Sequence, residues 1–184
     1  MNPKTFFPMR RLPSVFVLSL AAAMLLSACG YQLRGWTSEQ AAVSFTTVYL
    51  DDDSGDGQLG REAQRAIILG GGRVVTDLDQ AEAQLRLDRL ERSHRVVTTN
   101  VQGQATEYGV RYSFQYRFQA GEDLPLVEDA IASGTYSYDP DQANVSGKQR
   151  RLLERRLRTE AVQAMLRAIH VYWDRRAKGL EQAR

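Results

Sequence analysis

Tyr108-Gly109-Val110-Arg111-Tyr112-Ser113-Phe114-Gln115-Tyr116-Arg117-Phe118-Gln119 puts an apolar or aromatic side chain at every second position, with small, amide or cationic residues between. Successive side chains of a strand point to opposite faces, so this pattern predicts a long strand with one buried and one wet face. A one-sided strand facing helices accounts for the aromatic row as core, without a ligand platform. Upstream, Ala83, Leu85 and Leu87 alternate until parity fails at Leu90. The polar run Glu91 to Thr99 is therefore expected to leave the core or to cross a bulge. Gln102-Gly103-Gln104 separates the two segments, which should pair as a long antiparallel hairpin. Downstream, Ala130 to Tyr138 fits a further strand that closes at Asp139-Pro140.

Working outward, Val43 to Leu50 is β-branched and aromatic and reads as a strand ending at the acidic stretch Asp51 to Gly57. Leu59, Ala63, Ala66 and Ile67 then recur at helical spacing. Asp56 or Ser54 can cap that helix and Gly70-Gly71-Gly72 ends it, where a positive φ is needed. Arg73 to Thr76 is a short strand. The last element, about Ser146 to Ala177, carries Leu153, Leu157, Ala161, Ala164, Met165, Ala168, Ile169 and Tyr172 as one stripe and should pack across the sheet. Its expected first turn holds Lys148, Arg150 and Arg151, cations at the helix end that favours anions. Arg150 with Glu154, and Glu154 with Arg158, stand at i,i+4 and can pair.

The 184 residues are 43% hydrophobic and 25% charged, which excludes collagenous, disordered and disulfide-framework chains. Residues 1–28 hold Lys4, Arg10 and Arg11 and no acid, so the rest of the chain is close to neutral. No excess of cations remains for a nucleic-acid footprint, and nucleic acid is not an expected partner. Met1 to Arg11 is a basic stem, and the apolar run from Val15 is about a dozen residues against the roughly twenty of a spanning helix. It ends in small residues, the pattern of a cleaved export signal. Leu26-Ser27-Ala28-Cys29 resembles the bacterial lipobox, which implies cleavage before Cys29, diacylation of its thiol and acylation of the new amine. Two anchoring signals suffice for firm membrane attachment. Residue 30 is Gly and not Asp, which by resemblance to the bacterial lipoprotein sorting rule implies the outer membrane.

The motifs of catalysis are weak. Gly55-Asp56-Gly57-Gln58-Leu59-Gly60 spells G-x-G-x-x-G, with Asp77 and Asp79 near the spacing of a ribose acid. Asp51, Asp52, Asp53 and Asp56 would crowd a pyrophosphate, however, so the stretch reads as a turn and a cap. Asp52, Ser54, Asp56 and Gly57 also match positions 1, 3, 5 and 6 of a calcium loop, but position 12 is Ala63 and the Glu is one residue early, at Glu62. His94 and His170 are far from each other and from the single cysteine, so neither zinc nor a Cys-His nucleophile is expected. G-x-S-x-G and S-x-x-K are absent from the sequence. No cofactor, no metal and no catalytic residue is expected.

Cys29-Gly30-Tyr31-Gln32-Leu33-Arg34-Gly35 resembles the C-G-aromatic-x-L-R start of the LptE family of lipopolysaccharide-assembly lipoproteins. The order of elements also matches, as do Ala105-Thr106-Glu107-Tyr108 in the hairpin and Tyr136-Ser137-Tyr138-Asp139 at the strand end. The resemblance implies an α+β fold, a two-layer sandwich of two helices on a mostly antiparallel sheet, here expected to be four-stranded. The domain organisation is then a cleaved signal peptide over 1–28, a lipidated anchor and linker over 29–42, a single sandwich domain over 43–177 and a charged tail over 178–184. The family implies a non-enzymatic outer-membrane component that plugs the LptD-type β-barrel, helps it assemble and binds lipopolysaccharide. Family members bind that ligand through basic residues near the hairpin tip and at the start of the long helix. Lys148, with Arg150 and Arg151, matches the helix position. The tip, Val101-Gln102-Gly103, has no cation, and the nearest are Arg95 and Arg111. The alternative is an adaptor or inhibitor lipoprotein of another cell-envelope complex.

Overall fold

The aromatic strand is the spine of the sheet. In a computed structural model, which describes residues 43–182, it forms β4 (Ala105–Ala120). Its even-numbered side chains Val110, Tyr112, Phe114, Tyr116 and Phe118 are at most 2% exposed, so the alternation puts one full face of the strand in the core. On either side β3 (Ala83–Thr99) and β5 (Leu126–Ser137) pair with it antiparallel over most of its length. β1 (Thr47–Asp52) lies parallel to β3, and β2 (Arg73–Val75) parallel to β1, giving the order β2-β1-β3-β4-β5. Two helices, α1 (Gly57–Leu69) and α2 (Ala143–Gln182), complete the fold. The signal peptide and Cys29 lie outside the described residues.

The sheet is thus mixed and five-stranded, a correction to the expected four. The fifth strand is three residues long, and its membership is decided by pairing with β1 across an α1 crossover, which a parallel connection requires. β1 also starts and ends later than expected. Asp51 and Asp52 continue the ladder opposite Arg86 and Leu87, and Arg86 pairs with Asp51 at 3.4 Å and with Asp53.

Both helices cover the same face. From α1 the buried side chains are Leu59, Ala63, Ala66 and Ile67, the expected four. From α2 they are Leu157, Ala161, Met165 and Ile169 of the expected stripe together with Val162 and Leu166. Leu153, Ala168 and Tyr172 pack at its margin. Asp56 is the cap of α1, accepting a hydrogen bond from the Gln58 N–H at 3.0 Å. Gly71, at φ 90°, ends the helix in a conformation that favours glycine. The opposite sheet face is open and polar, with Gln84, Arg86, Asp88, Arg117 and Gln119 around a depression of about 400 Å³.

The parity failure at Leu90 is a β-bulge. The β3–β4 register slips between Asp88 and Glu91, where Arg89 takes φ 49°, so Leu87 and Leu90 both reach the core side. Beyond the slip Arg92 stands opposite Tyr112 and His94 opposite Val110, on the helix-covered face. Regular pairing would have placed Glu91 and Ser93 there instead.

Burial of the tyrosines links the core to pH. Burial, and secondarily the Asp56 charge, push the Tyr112 hydroxyl up to about 12 against opposing effects of Arg158 and Arg92. Burial also raises Tyr116, whose hydroxyl donates to Glu128 Oε2 at 3.0 Å. Between pH 10 and 12 the native state therefore holds protons that the unfolded chain has released, and stability falls as pH rises. Denaturant titrations across that window should show this decline, and Tyr112→Phe should make it shallower.

Candidate functional site

The start of α2 is set by its approach. Asp139 accepts from the Asp141 N–H at 2.9 Å and from Gln142 Nε2 at 3.0 Å, and its own N–H donates to the buried Ser146 hydroxyl. The helix consequently begins at Ala143, one turn earlier than expected, and Lys148 falls beyond the first turn, where the helix dipole opposes a cation less.

Lys148, Arg150 and Arg151 are all exposed, but the structure gives them different neighbours. Arg150 Nε lies 3.9 Å from Glu154 Oε1, and the same carboxylate oxygen is 3.4 Å from His94 Nε2 on β3. Close by is the tyrosine-rich strand end. Tyr108 stacks on Tyr136 at 5.7 Å and meets the edge of Tyr138 at 5.2 Å, and burial raises the Tyr136 hydroxyl while the Arg150 charge opposes that shift. Arg151 points to a separate cleft of about 300 Å³, shared with Asp56, Gln58, Arg92, Tyr112, Glu154, Arg155 and Arg158. Arg158 donates to Gln58 Oε1 at 2.6 Å. Arg95 and Arg111 are not gathered with the α2 cations. They line a depression of about 310 Å³ on the open sheet face with Ser93 and Thr135. The hairpin tip is closed by Asn100, whose Oδ1 accepts from the N–H groups of Gln102 and Gln104, with Gly103 at φ 79°.

Arg92, Arg155 and Arg158 were missing from the expected set. Arg151, Arg155 and Arg158 have a visible signal, the i, i+4, i+7 spacing of one helix stripe. Arg92 has none, because only the bulge turns it inward.

The glycine-rich stretch is spent on structure. Asp52 Oδ2 accepts from the Gly60 N–H at 3.0 Å and Oδ1 accepts from the Ser54 N–H at 3.2 Å, while Asp56 caps α1 and pairs with Arg92. These carboxylates stand where a pyrophosphate would need bare amides. Among the described residues no group of three or more His, Cys, Asp or Glu is arranged to hold a metal. A Cβ on Gly60 would run into the Asp52 carboxylate. Gly60→Ala should therefore cost about 1–3 kcal/mol, read from denaturant midpoints, as overpacking at a tight contact does.

Ser44, His170 and Asp174 form a row, with Ser44 Oγ 2.5 Å from His170 Nδ1 and His170 Nε2 3.5 Å from Asp174 Oδ2. The imidazole and carboxylate are 44% and 49% exposed, so the row is a water-facing tie between the chain entering β1 and α2, without the dry, dipole-lined surroundings that stabilise a reaction's charge.

Comparison with known proteins agrees with this architecture. The fold is similar to that of rare lipoprotein B from Shewanella oneidensis, with a TM-score of 0.64 at 16% identity, covering 71% of this chain and 98% of that one. A lipoprotein B from Nitrosomonas europaea gives 0.64 at 20% identity over 79% and 93% of the two chains. A minor lipoprotein from Acinetobacter baumannii gives 0.58 at 16% identity over 71% and 94%. Among curated proteins no match is found. The family model for LptE, lipopolysaccharide-assembly, matches residues 45–169, from the buried Phe45 before β1 to Ile169 in the core stripe of α2, and the chain belongs to that family.

Proposed function

We propose that this protein is a non-enzymatic outer-membrane lipoprotein of the lipopolysaccharide transport and assembly machine, anchored through an acylated Cys29 and seated as a plug and assembly partner in an LptD-type β-barrel. Its family membership over residues 45–169 is the observation that carries this reading. The open sheet face supports it, since Arg86, Asp88, Arg117 and their amide neighbours suit the polar interior of a large barrel. Lys148, Arg150 and Arg151 are the proposed contacts to lipopolysaccharide, whose phosphates favour cationic forks.

The test is to solubilise outer membranes gently, capture the chain through a C-terminal tag and identify what co-purifies. A single large β-barrel at equal stoichiometry is the expected result. Recovery of the chain with other envelope proteins and no barrel would replace the plug reading by the adaptor one. The ligand contacts are tested separately. Lys148→Ala, Arg150→Ala and Arg151→Ala combined should lower lipopolysaccharide binding at least tenfold at unchanged circular dichroism, and unchanged binding would remove these residues from the site.

A further inference from the structure

Among the described residues the sheet has three open borders, and the fold guards two of them. β2, at one margin, is only three residues long. β3 pairs with β1 only from Ala83 to Leu87, so Asp88 to Thr99 present a second open border. Register slips after Asp88 and after Val96 interrupt that border, and Arg89, Glu91, Arg92 and Arg95 stand exposed along it. Short length, bulges and charged side chains are the devices that keep an edge from accepting another strand.

The third border, β5, is guarded far less. It is the last strand of the sheet, 12 residues long, and pairs with β4 without a slip from Leu126 to Ser137. Half of the N–H and C=O groups of such a strand point away from its single neighbour. Among the described residues no turn, loop or cap takes them. β5 contains no proline, lysine or arginine, and its two charges, Glu128 and Asp129, sit together near one end. Glu128 already accepts from the Tyr116 hydroxyl. α2 covers one face of the strand, with Leu153 against Gly134 and the Tyr172 hydroxyl donating to the Leu124 carbonyl at 2.8 Å. On the other face Val127 and Ile131 are 42% and 44% exposed, so an apolar row runs beside the free backbone.

The charge pattern selects the strand that fits. A two-fold axis at Ile131 sets Asp129 opposite Ser133 of a second copy, Glu128 opposite Gly134 and Val127 opposite Thr135, and brings the two Ile131 side chains together. No like charges then face each other, whereas an axis at Asp129 would oppose two carboxylates, a destabilising cross-strand pair. We propose that two copies of this chain pair antiparallel along β5, centred on Ile131, so that the sheet of one continues into the other. A two-fold contact closes on itself and leaves no β5 border for a third copy. The pairing belongs to the chain outside a barrel and is compatible with one-to-one recovery of barrel-bound chain. Lys148, Arg150 and Arg151 take no part in it.

The test uses the full chain in non-ionic detergent, followed by sedimentation velocity over a range of concentrations. A monomer–dimer equilibrium is expected, and Ile131→Lys should weaken it at least tenfold at unchanged thermal stability. That variant keeps the same anchor, so the difference excludes dimers that merely share a micelle. Oxidative cross-linking reads the register independently. Directly opposed residues of an antiparallel pair lie within the span of a disulfide. Ile131→Cys should therefore bridge two copies. Val127→Cys and Thr135→Cys should bridge when mixed and not when oxidised separately, with the parent chain as the background. A parent that stays monomeric at every concentration, growth into larger open-ended species, dimers that ignore Ile131→Lys, or no bridge at Ile131→Cys would each overturn the proposal. If Ile131→Lys instead lowers recovery of the barrel while the free parent is monomeric, the border belongs to the barrel partner and the pairing falls. Loss of barrel recovery or of lipopolysaccharide binding in the Lys148 variants leaves the dimer untouched, so the readings fail separately.

Discussion

Phe118→Ala is expected to lower the free energy of unfolding by about 3–5 kcal/mol, the range for deleting a fully buried aromatic ring from a core that cannot collapse onto the space. Phe118 is 0% exposed and lies where three parts of the chain meet. Its ring centre is 5.5 Å from Phe45 before β1, and 6.1 Å from both Tyr172 and Trp173 on α2. Each of those contacts joins segments more than fifty residues apart, so the ring carries tertiary rather than local structure. Aromatic pairs at such separations add roughly 0.5–1.5 kcal/mol beyond buried area. A shift in melting temperature of about 10–20 °C follows for a domain of this size. Thermal unfolding followed by circular dichroism gives the number, and a shift of only a few degrees would show that Trp173 and Phe45 close the gap.

The second large effect concerns the membrane. With Cys29→Ser, intact mass should show no acyl chains, and recovery in the outer-membrane fraction should fall at least tenfold. Among the described residues no helix is long and apolar enough to cross a membrane, so on the proposed reading attachment rests on the lipid. Each buried CH₂ contributes about 0.8 kcal/mol and one chain alone binds only marginally, which makes loss of all chains decisive. The parent chain should have the mass of residues from Cys29 onward plus its lipid. An unmodified Cys29 in the parent would end the anchor proposal.

How far the candidate site could be read ahead depended on the kind of residue. Lys148, Arg150 and Arg151 stood out as a local run at a helix start, but a run says nothing of neighbours. Arg150 joins Glu154 and His94, while Arg151 turns into a cleft with Arg155 and Arg158. Arg92 was invisible as a site residue, because its side depends on the strained backbone at Arg89. The glycines at 55, 57 and 60 mimicked a phosphate loop. Only the Asp52 side chain folding back onto the Gly60 amide shows why position 60 needs a residue without a side chain.

By itself the sequence determined the aromatic strand, its hairpin partner, the cap and end of α1 and the buried stripe of α2. In each of these the information lies in local periodicity, and the free energy of burying one face follows directly from it. It also carried the family likeness. Tertiary structure alone decided that Arg73–Val75 joins as a fifth strand, that the sheet is mixed, and that Arg92 lines one cleft with the α2 arginines. Those outcomes are pairings between distant segments, set by register and by which charges find partners, and no short window of sequence contains both members of such a pair.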